Sequence, residues 1–452
     1  MPMDDRLLLA AFSRSVPRYT SYPTAAQFSD DIGPTCYGAW LERLPHDTRL
    51  SLYLHVPYCR ELCWYCGCHM RVARRDGVLE RYRDALLKEI ATVRGRLGFR
   101  PEVRHVHWGG GTPTILKPDD LIRLQGALAE AFSIAPDSEI AVEIDPRGFT
   151  PEMAQALATI GTTRVSFGVQ DFDPTVQAAI NRRQSFSVTQ QAVDTVRRAG
   201  IRSVNIDLVY GLPHQTEATL RQTIELTLAL APERIALFGY AHVPWLKRHQ
   251  GLIPEGALPG PAARWNQARM AAQILTGHGY VAVGIDHFAL PEDDLARAAV
   301  SGRLRRNFQG YTTDDNEGLI GFGPSAISAL PEGYAQNTAD IPAWLKQAEA
   351  GELATARGIT LNDEDRLRAD VIERLMCDFR VDLSKMLAGR PELAPALAAA
   401  NPALAELERT GLVTLDGPLV RIAPTTRPLA RVVAAAFDAH LTNAPKRHSV
   451  AV

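Results

Sequence analysis

Four cysteines crowd into ten residues: Cys59, Cys63, Cys66 and Cys68, in the stretch His-Val-Pro-Tyr-Cys-Arg-Glu-Leu-Cys-Trp-Tyr-Cys-Gly-Cys at residues 55–68. The first three form a C-x3-C-x2-C triad just after an apolar run at residues 52–56. Three thiolates are one short of the four that close an ordinary [4Fe-4S] site, so one iron would be left open to a small molecule. The alternative is a zinc knuckle with Cys68 or His69 as its fourth ligand. Zinc ligands usually come as two separated pairs, and no second Cys/His cluster follows here. A disulfide framework fits less well. Six cysteines in 452 residues are sparse, Cys36 and Cys377 stand far from the others, and the start Met-Pro-Met-Asp-Asp-Arg carries acids where a signal peptide would carry bases. The expected compartment is reducing.

Further along, His107-Trp108-Gly109-Gly110-Gly111-Thr112-Pro113-Thr114 follows an apolar segment. Adjacent glycines let a ligand approach exposed backbone N–H and C=O groups, although a tight turn needing positive φ would use them as well. Glu143 and Asp145 are two apart and so point the same way from a strand. With Asp207, they are carboxylates suited to ammonium and hydroxyl groups, or to helix caps and ion pairs with Arg147 or Arg182. Gln170 and Arg182 are similar cases. Two aromatic and hydroxylic stretches, residues 18–25 and 307–313, have neither helical nor strand period and read as loops by composition.

These residues need a scaffold, and the rest of the chain supplies one. Short branched apolar segments at residues 51–56, 103–108, 139–145, 164–169, 203–209, 234–240 and 280–286 alternate with helical patterns at 78–97, 118–132 and 217–230. That is the pattern of βα units around a parallel sheet, and it predicts an α/β fold with most of a barrel, whose chemistry sits at the carboxyl ends of the strands. The cysteine loop follows the first strand, the glycines the second, Glu143 and Asp145 end the third, Gln170 the fourth and Asp207 the fifth. From about residue 361 the texture turns to Ala- and Leu-rich helices. A hairpin at residues 412–422, turned at Asp416-Gly417, closes the pattern of a winged-helix-like module. With 12 Lys plus Arg against 12 Asp plus Glu from residue 360 onward, it lacks the basic character of a DNA reader and is expected to pack or act as a lid. The whole chain balances 49 bases against 51 acids, for a net charge of −2. No bulk field recruits nucleic acid or an anionic membrane, and no run of about 18 apolar residues would span one. The division expected is a leader at 1–48, a catalytic barrel at 49–355, a helical domain at 361–442 and a frayed tail at 443–452.

Together these segments resemble the oxygen-independent coproporphyrinogen III oxidase family of the radical S-adenosylmethionine (SAM) superfamily. The likeness rests on Arg-Tyr-Thr-Ser-Tyr-Pro-Thr-Ala at 18–25, the cysteine loop, His-Trp-Gly-Gly-Gly-Thr-Pro-Thr, Gly-Val-Gln-Asp-Phe at 168–172, Asn-Ile-Asp-Leu-Val-Tyr-Gly-Leu-Pro at 205–213 and Asn-Phe-Gln-Gly-Tyr-Thr-Thr. Position by position, the resemblance implies that Cys59, Cys63 and Cys66 ligate a [4Fe-4S] cluster. Tyr53 would neighbour the SAM bound there and Tyr65 would pack on its adenine. Cys68, Gly110, Gly111, Thr112, Glu143, Gln170, Arg182 and Asp207 would surround that SAM, and Ala241, Gln309 and Ile327 a second one. It implies oxidative decarboxylation of two propionates of coproporphyrinogen III to vinyls by a 5′-deoxyadenosyl radical, an electron from a flavodoxin- or ferredoxin-like donor, and a cytoplasmic monomer. Arg18, with Arg305 or Arg306, is expected to meet the propionates. Two rivals are a haem-binding chaperone and a haem-opening radical SAM methyltransferase, and Cys68 and the 18–25 leader count against both.

Overall fold

The structure is a computed structural model and describes Ala11 and residues 14–441. Its centre is a run of parallel strands: β1 (Arg49–Val56), β2 (Glu102–Gly110), β3 (Ser133–Ile144), β4 (Arg164–Gln170), β5 (Ser203–Tyr210) and β6 (Arg234–Gly239) pair in sequence order. Helices cover the connections, among them α1 (Asp76–Arg96), α2 (Pro118–Ala131), α3 (Pro151–Thr159), α4 (Phe186–Arg198), α5 (Glu217–Ala229) and α6 (Pro261–Gly277). Side chains alternate along a strand, and the even-numbered residues of β1 make its apolar face. Leu50, Leu52, Leu54 and Val56 of β1 are essentially inaccessible, and each such side chain contributes about 1.5–3 kcal/mol by burial.

Six of the expected strands and all three expected helices are present within a few residues, except that β3 begins at Ser133. The seventh expected strand, 280–286, is a correction. Only β7 (Val281–Val283) forms there, antiparallel to β8 (His287–Ala289), which is antiparallel to β6, so β7 is an outer edge. The seventh parallel strand is β9 (Gly318–Phe322), on the other side of β1. Then β10 (Ile327–Leu330), β11 (Gly333–Asn337) and β12 (Thr355–Thr360) extend the sheet antiparallel, giving the order β12-β11-β10-β9-β1-β2-β3-β4-β5-β6-β8-β7. A partial barrel with two antiparallel flanks results. Its first flank is tied to α1 by Glu89, which accepts hydrogen bonds from Gly323 N, Asn337 Nδ2 and Trp344 Nε1.

Helix α7 (Ile341–Glu349) lies between β11 and β12, and beyond β12 helix α8 (Asp363–Asp378) begins at an Asn362/Asp365 capping box. It leads to short helices and a three-stranded antiparallel sheet of residues 380–382, 413–416 and 419–422. The leader lies between this module and the barrel. Tyr19 and Tyr22 are buried; Tyr19 donates to Asp438 at 2.9 Å and Tyr22 accepts from Ala439 N at 2.9 Å. The expected tail at 443–452 and residues 1–10, 12 and 13 of the leader lie outside the described residues.

Candidate active site

The carboxyl ends of β1 to β5 converge on one cavity, lined by Cys59, Cys63, Tyr65, Cys66, Cys68, Gly110, Gly111, Thr112, Glu143, Gln170, Arg182 and Asp207. Ten residues of sequence hold the cysteines close, but distant elements orient them. Arg182 Nη1 lies 3.5 Å and Arg147 Nη2 3.8 Å from Cys63 Sγ, and Thr112 Oγ1 lies 3.3 Å from Cys59 Sγ. From the connection between β6 and α6, Lys247 donates to Cys68 O, His249 to Cys66 O and Gln250 to Tyr65 O, at 2.9, 2.7 and 2.8 Å. The far side of the loop is thereby pinned by a segment that no sequence pattern marked. Burial pushes the Cys59 thiol up to about 12, while a hydrogen bond from Cys68 draws the Cys66 thiol down and pushes Cys68 up. Cys66 is therefore the readier thiolate of that pair.

The donor set fits an iron–sulfur cluster. Three sulfurs face one cavity with cationic guanidinium groups beside them, which suits an anionic cluster. Among the described residues, no three His, Cys, Asp or Glu side chains stand close enough to share a single metal ion.

The glycine run turns out to have reasons within the protein. A Cβ on Gly110, whose φ is +109°, would come within 2.8 Å of the His55 ring, and one on Gly111 within 2.6 Å of Tyr58 O. Close approach of β2 to β1 therefore already demands glycine. His55 is the residue that this packing exposes and sequence reasoning missed. Tyr53 Oη donates to its Nδ1 at 3.0 Å, and its Nε2 donates to His69 O at 2.9 Å, linking β1 to the end of the cysteine loop. Burial draws its pKa down to about 4, which keeps it neutral. Tyr53 also stacks on His107 at 5.8 Å.

The carboxylates divide. Asp145 makes the ion pairs that the sequence allowed for, at 2.6 Å to Arg147 and 3.3 Å to Arg182. Glu143 turns instead to the glycine run, accepting from Gly110 N at 3.1 Å and meeting His107 Nε2 at 3.1 Å. Asp207 stands inside β5 rather than at its end, which is Tyr210. Asn205 donates to it at 2.7 Å, and burial followed by the nearby Glu143 pushes it up to about 6. Gln170 holds φ +72°, a strained conformation that ends β4 at the cavity wall.

A second cavity opens between Glu143, Asp207, His287 and Gln309, sharing Cys68, Glu143, Ser166 and Asp207 with the first. A third shares Phe238, His287 and Gln309 with the second and is lined by Ala241, Arg18 and Arg306. Gln309 and Ala241 are thus brought together, whereas Ile327 lies on β10 and lines none of the three. Arg306 reaches the third cavity, but Arg305 turns away to Glu373 at 3.1 Å.

Sequence and fold relatives share this geometry's framework. Residues 53–227 match the radical SAM superfamily. The chain is 51% identical over 437 residues, 97% of each chain, to the oxygen-independent coproporphyrinogen III oxidase of Bradyrhizobium diazoefficiens. It is 39% identical over 438 residues to that of Escherichia coli, covering 97% of this chain and 95% of that one. The solved coproporphyrinogen III oxidase from Escherichia coli, described as a radical SAM enzyme, superposes with a TM-score of 0.89 at 37% identity, over 95% of this chain and 100% of that one.

Proposed function

The chain belongs to the oxygen-independent coproporphyrinogen III oxidase family of the radical SAM superfamily, and from that premise we propose that it converts coproporphyrinogen III to protoporphyrinogen IX in haem biosynthesis by oxidative decarboxylation of two propionates. The observation that carries the reading is the meeting of Cys59, Cys63 and Cys66 with Glu143, Arg182 and Asp207 in one cavity at the strand ends. Bound there, a [4Fe-4S] cluster and SAM would supply the carbon-centred radical that removes a hydrogen from the propionate chain, and loss of carbon dioxide would then pass one electron to a one-electron acceptor.

The protein's own residues hold and shield. Cys59, Cys63 and Cys66 are the cluster ligands in this reading, and Arg182 and Arg147 offset the negative charge at Cys63. Cys68 would not be a cluster ligand. Glu143 and Asp207 accept hydrogen bonds from the SAM ammonium and ribose, Gly110, Gly111 and Thr112 offer backbone beside its amino-acid end, and Tyr65 backs its adenine. Gln170 shapes the wall between them, and Tyr53 braces the site through His55. Gln309 and Ala241, which line the third cavity together, are assigned to a second SAM, and Ile327, on β10 outside that cavity, is assigned to it by the resemblance alone. The leader, packed between barrel and C-terminal module, excludes water from the reacting groups. In this reading the chain divides into leader, barrel (49–355) and helical module (361–442), with β12 completing the barrel sheet.

A one-electron donor of flavodoxin or ferredoxin type is assigned to the outer side of the cysteine loop. A broad cleft there is lined by Arg60, Arg74, Arg75, Arg147 and Arg183 against only Glu61 and Asp145, and Val72 and Val78 stand exposed beside them. Positive charge around an apolar patch suits an acidic redox partner. Six free cysteines support a reducing, cytoplasmic setting, and the protein is taken as a monomer. Anaerobic incubation with SAM, a reductant and coproporphyrinogen III tests the reading. A product bearing two vinyls supports it, and haem binding without turnover would mark a chaperone instead.

A further inference from the structure

We propose that the connection between β6 and α6 acts on the [4Fe-4S] cluster through Lys247 and His249, two positioning residues that hold the end of the cysteine loop and make the cluster easier to reduce. The proposal rests on the cofactor and ligands assigned above and deepens them. Residues 243–252 are patterned opposite to an ordinary surface segment. Leu246 and Leu252 stand 67% and 56% exposed, whereas Lys247 and His249 are half-buried and Gln250 is buried. These polar side chains turn inward, and what they meet is the cysteine loop.

Lys247, His249 and Gln250 donate to the carbonyls of Cys68, Cys66 and Tyr65. Gln250 also accepts from Val243 N at 2.6 Å, which ties the segment to itself, and Trp64 and Tyr65 pack against an apolar cluster that includes Tyr240 and Ile253. A trans peptide carries its N–H opposite its C=O, so a carbonyl held against the connection turns the following amide away from it. Gln250 thus leaves the Cys66 amide to meet Cys63 O, at 3.2 Å. By the same rule, His249 and Lys247 turn the amides of Gly67 and His69 away from the connection. Neither amide has a hydrogen-bond partner among the described residues.

Hydrogen bonds to the sulfurs, net charge and solvent exposure set a cluster's reduction potential. The amides of Gly67 and His69, on either side of Cys68, are the donors that the held carbonyls leave for the sulfurs. Reduction adds an electron to a cluster already made anionic by three thiolates, so a cation nearby stabilises the reduced form. Lys247 is such a cation. No carboxylate pairs with it among the described residues, and its charge favours the anion at the Cys66 sulfur. Arg147 and Arg182 act similarly at Cys63. Those two line the cavity and Lys247 does not, so its charge can be changed without altering the wall that faces SAM. A cluster poised in this way is open to the flavodoxin- or ferredoxin-like donor assigned above.

The test is an anaerobic redox titration of the reconstituted protein without SAM, following the paramagnetic resonance signal of the reduced cluster. Lys247→Met should move the midpoint to more negative potential, so that the reduced-to-oxidised ratio at the wild-type midpoint falls about tenfold, equivalent to about 59 mV for one electron. Lys247→Arg, which keeps the charge, should stay close to the wild type. His249→Phe should shift the midpoint in the same direction, and His249→Gln, which can still donate, should recover part of the shift. Iron and sulfide content and the thermal midpoint report assembly and folding. If Lys247→Met assembles no cluster, the two His249 variants decide. An unchanged midpoint in cluster-loaded Lys247→Met or His249→Phe protein, or a Lys247→Arg shift as large as that of Lys247→Met, overturns the proposal. A wild-type protein that assembles no cluster would remove the cofactor assignment, and the proposal with it.

Discussion

Within the cysteine loop, identical side chains have different surroundings. Cys63 faces two guanidinium groups and Cys59 faces Thr112, while Cys68 is exposed and has its backbone carbonyl held by Lys247. Serine at Cys59, Cys63 or Cys66 should therefore abolish iron and sulfide content and the cluster's paramagnetic resonance signal, and Cys68→Ser should retain both. A Cys68 variant that assembles no cluster would count against the assignment. Asp207 adds a pH dependence at the same scale. With its pKa pushed up to about 6 by burial, it is a carboxylate above that pH and protonated below it, when it loses an acceptor for SAM. SAM affinity should fall as pH drops from about 7 to about 5, and Asp207→Asn should bind more weakly and show no such step. Equilibrium SAM titrations across that range measure both.

At the scale of elements, Glu89 shows how the barrel's first flank is held. Its carboxylate joins α1 to the end of β9, to β11 and to α7 through three donors, and Glu89→Ala would leave Gly323 N and Trp344 Nε1 buried without an acceptor. At about 1–3 kcal/mol for each stranded group, the loss should be about 3 kcal/mol or more in denaturant unfolding. Burial also raises Glu89 to about 7. Between an unfolded value of about 4.3 and about 7, the native state keeps a proton that the unfolded chain has released. Its contribution to stability is therefore greatest below that window and is lost as pH rises through it. Unfolding free energies at pH 5 and pH 7.5 should show this fall in the wild type and lack Glu89's share of it in the alanine variant.

The whole molecule assembles its interior from both chain ends. Tyr19 and Tyr22 reach Asp438 and Ala439, and Arg306 reaches back to the leader backbone, so leader, barrel hairpin and C-terminal module close one side together. Deleting residues 1–26 should preserve the cluster and SAM binding but uncouple SAM cleavage from propionate loss, read as 5′-deoxyadenosine formed in excess of product. Full-length rate and coupling in the truncated protein would reduce the leader to a tail. Beside the cysteine loop, the arginine-lined cleft predicts that Arg74→Glu with Arg75→Glu slows turnover driven by a reduced flavodoxin several-fold or more. Both side chains are exposed and outside the site, so turnover driven by dithionite should be unchanged. The flavodoxin-driven rate should also fall with added salt in the wild type, because the attraction is screened.

Chemistry carried by residues near one another in the chain is legible from sequence alone. The cysteine triad, the His-Trp-Gly-Gly-Gly-Thr run and the alternation of apolar and helical segments are local patterns, and local sterics and burial determine them. So β1 to β6 and three covering helices followed from periodicity. What required the tertiary structure depends on pairings far apart in sequence. Nothing within residues 280–286 shows that they would form an outer antiparallel edge, nor within 318–322 that β9 would lie beside β1, because partner choice depends on which edge is free once the parallel core has formed. The same holds within the site. Glycines that looked like ligand room are required by His55 and Tyr58 on the neighbouring strand and its following loop, Asp145 is taken up by arginines from the next loops, and Lys247, His249 and Gln250 restrain a loop almost two hundred residues earlier. Four arginines spread from Arg18 to Arg431 line one cavity only when the leader and the C-terminal module meet at the barrel, since a charge cluster has no sequence period and exists only in the packed fold.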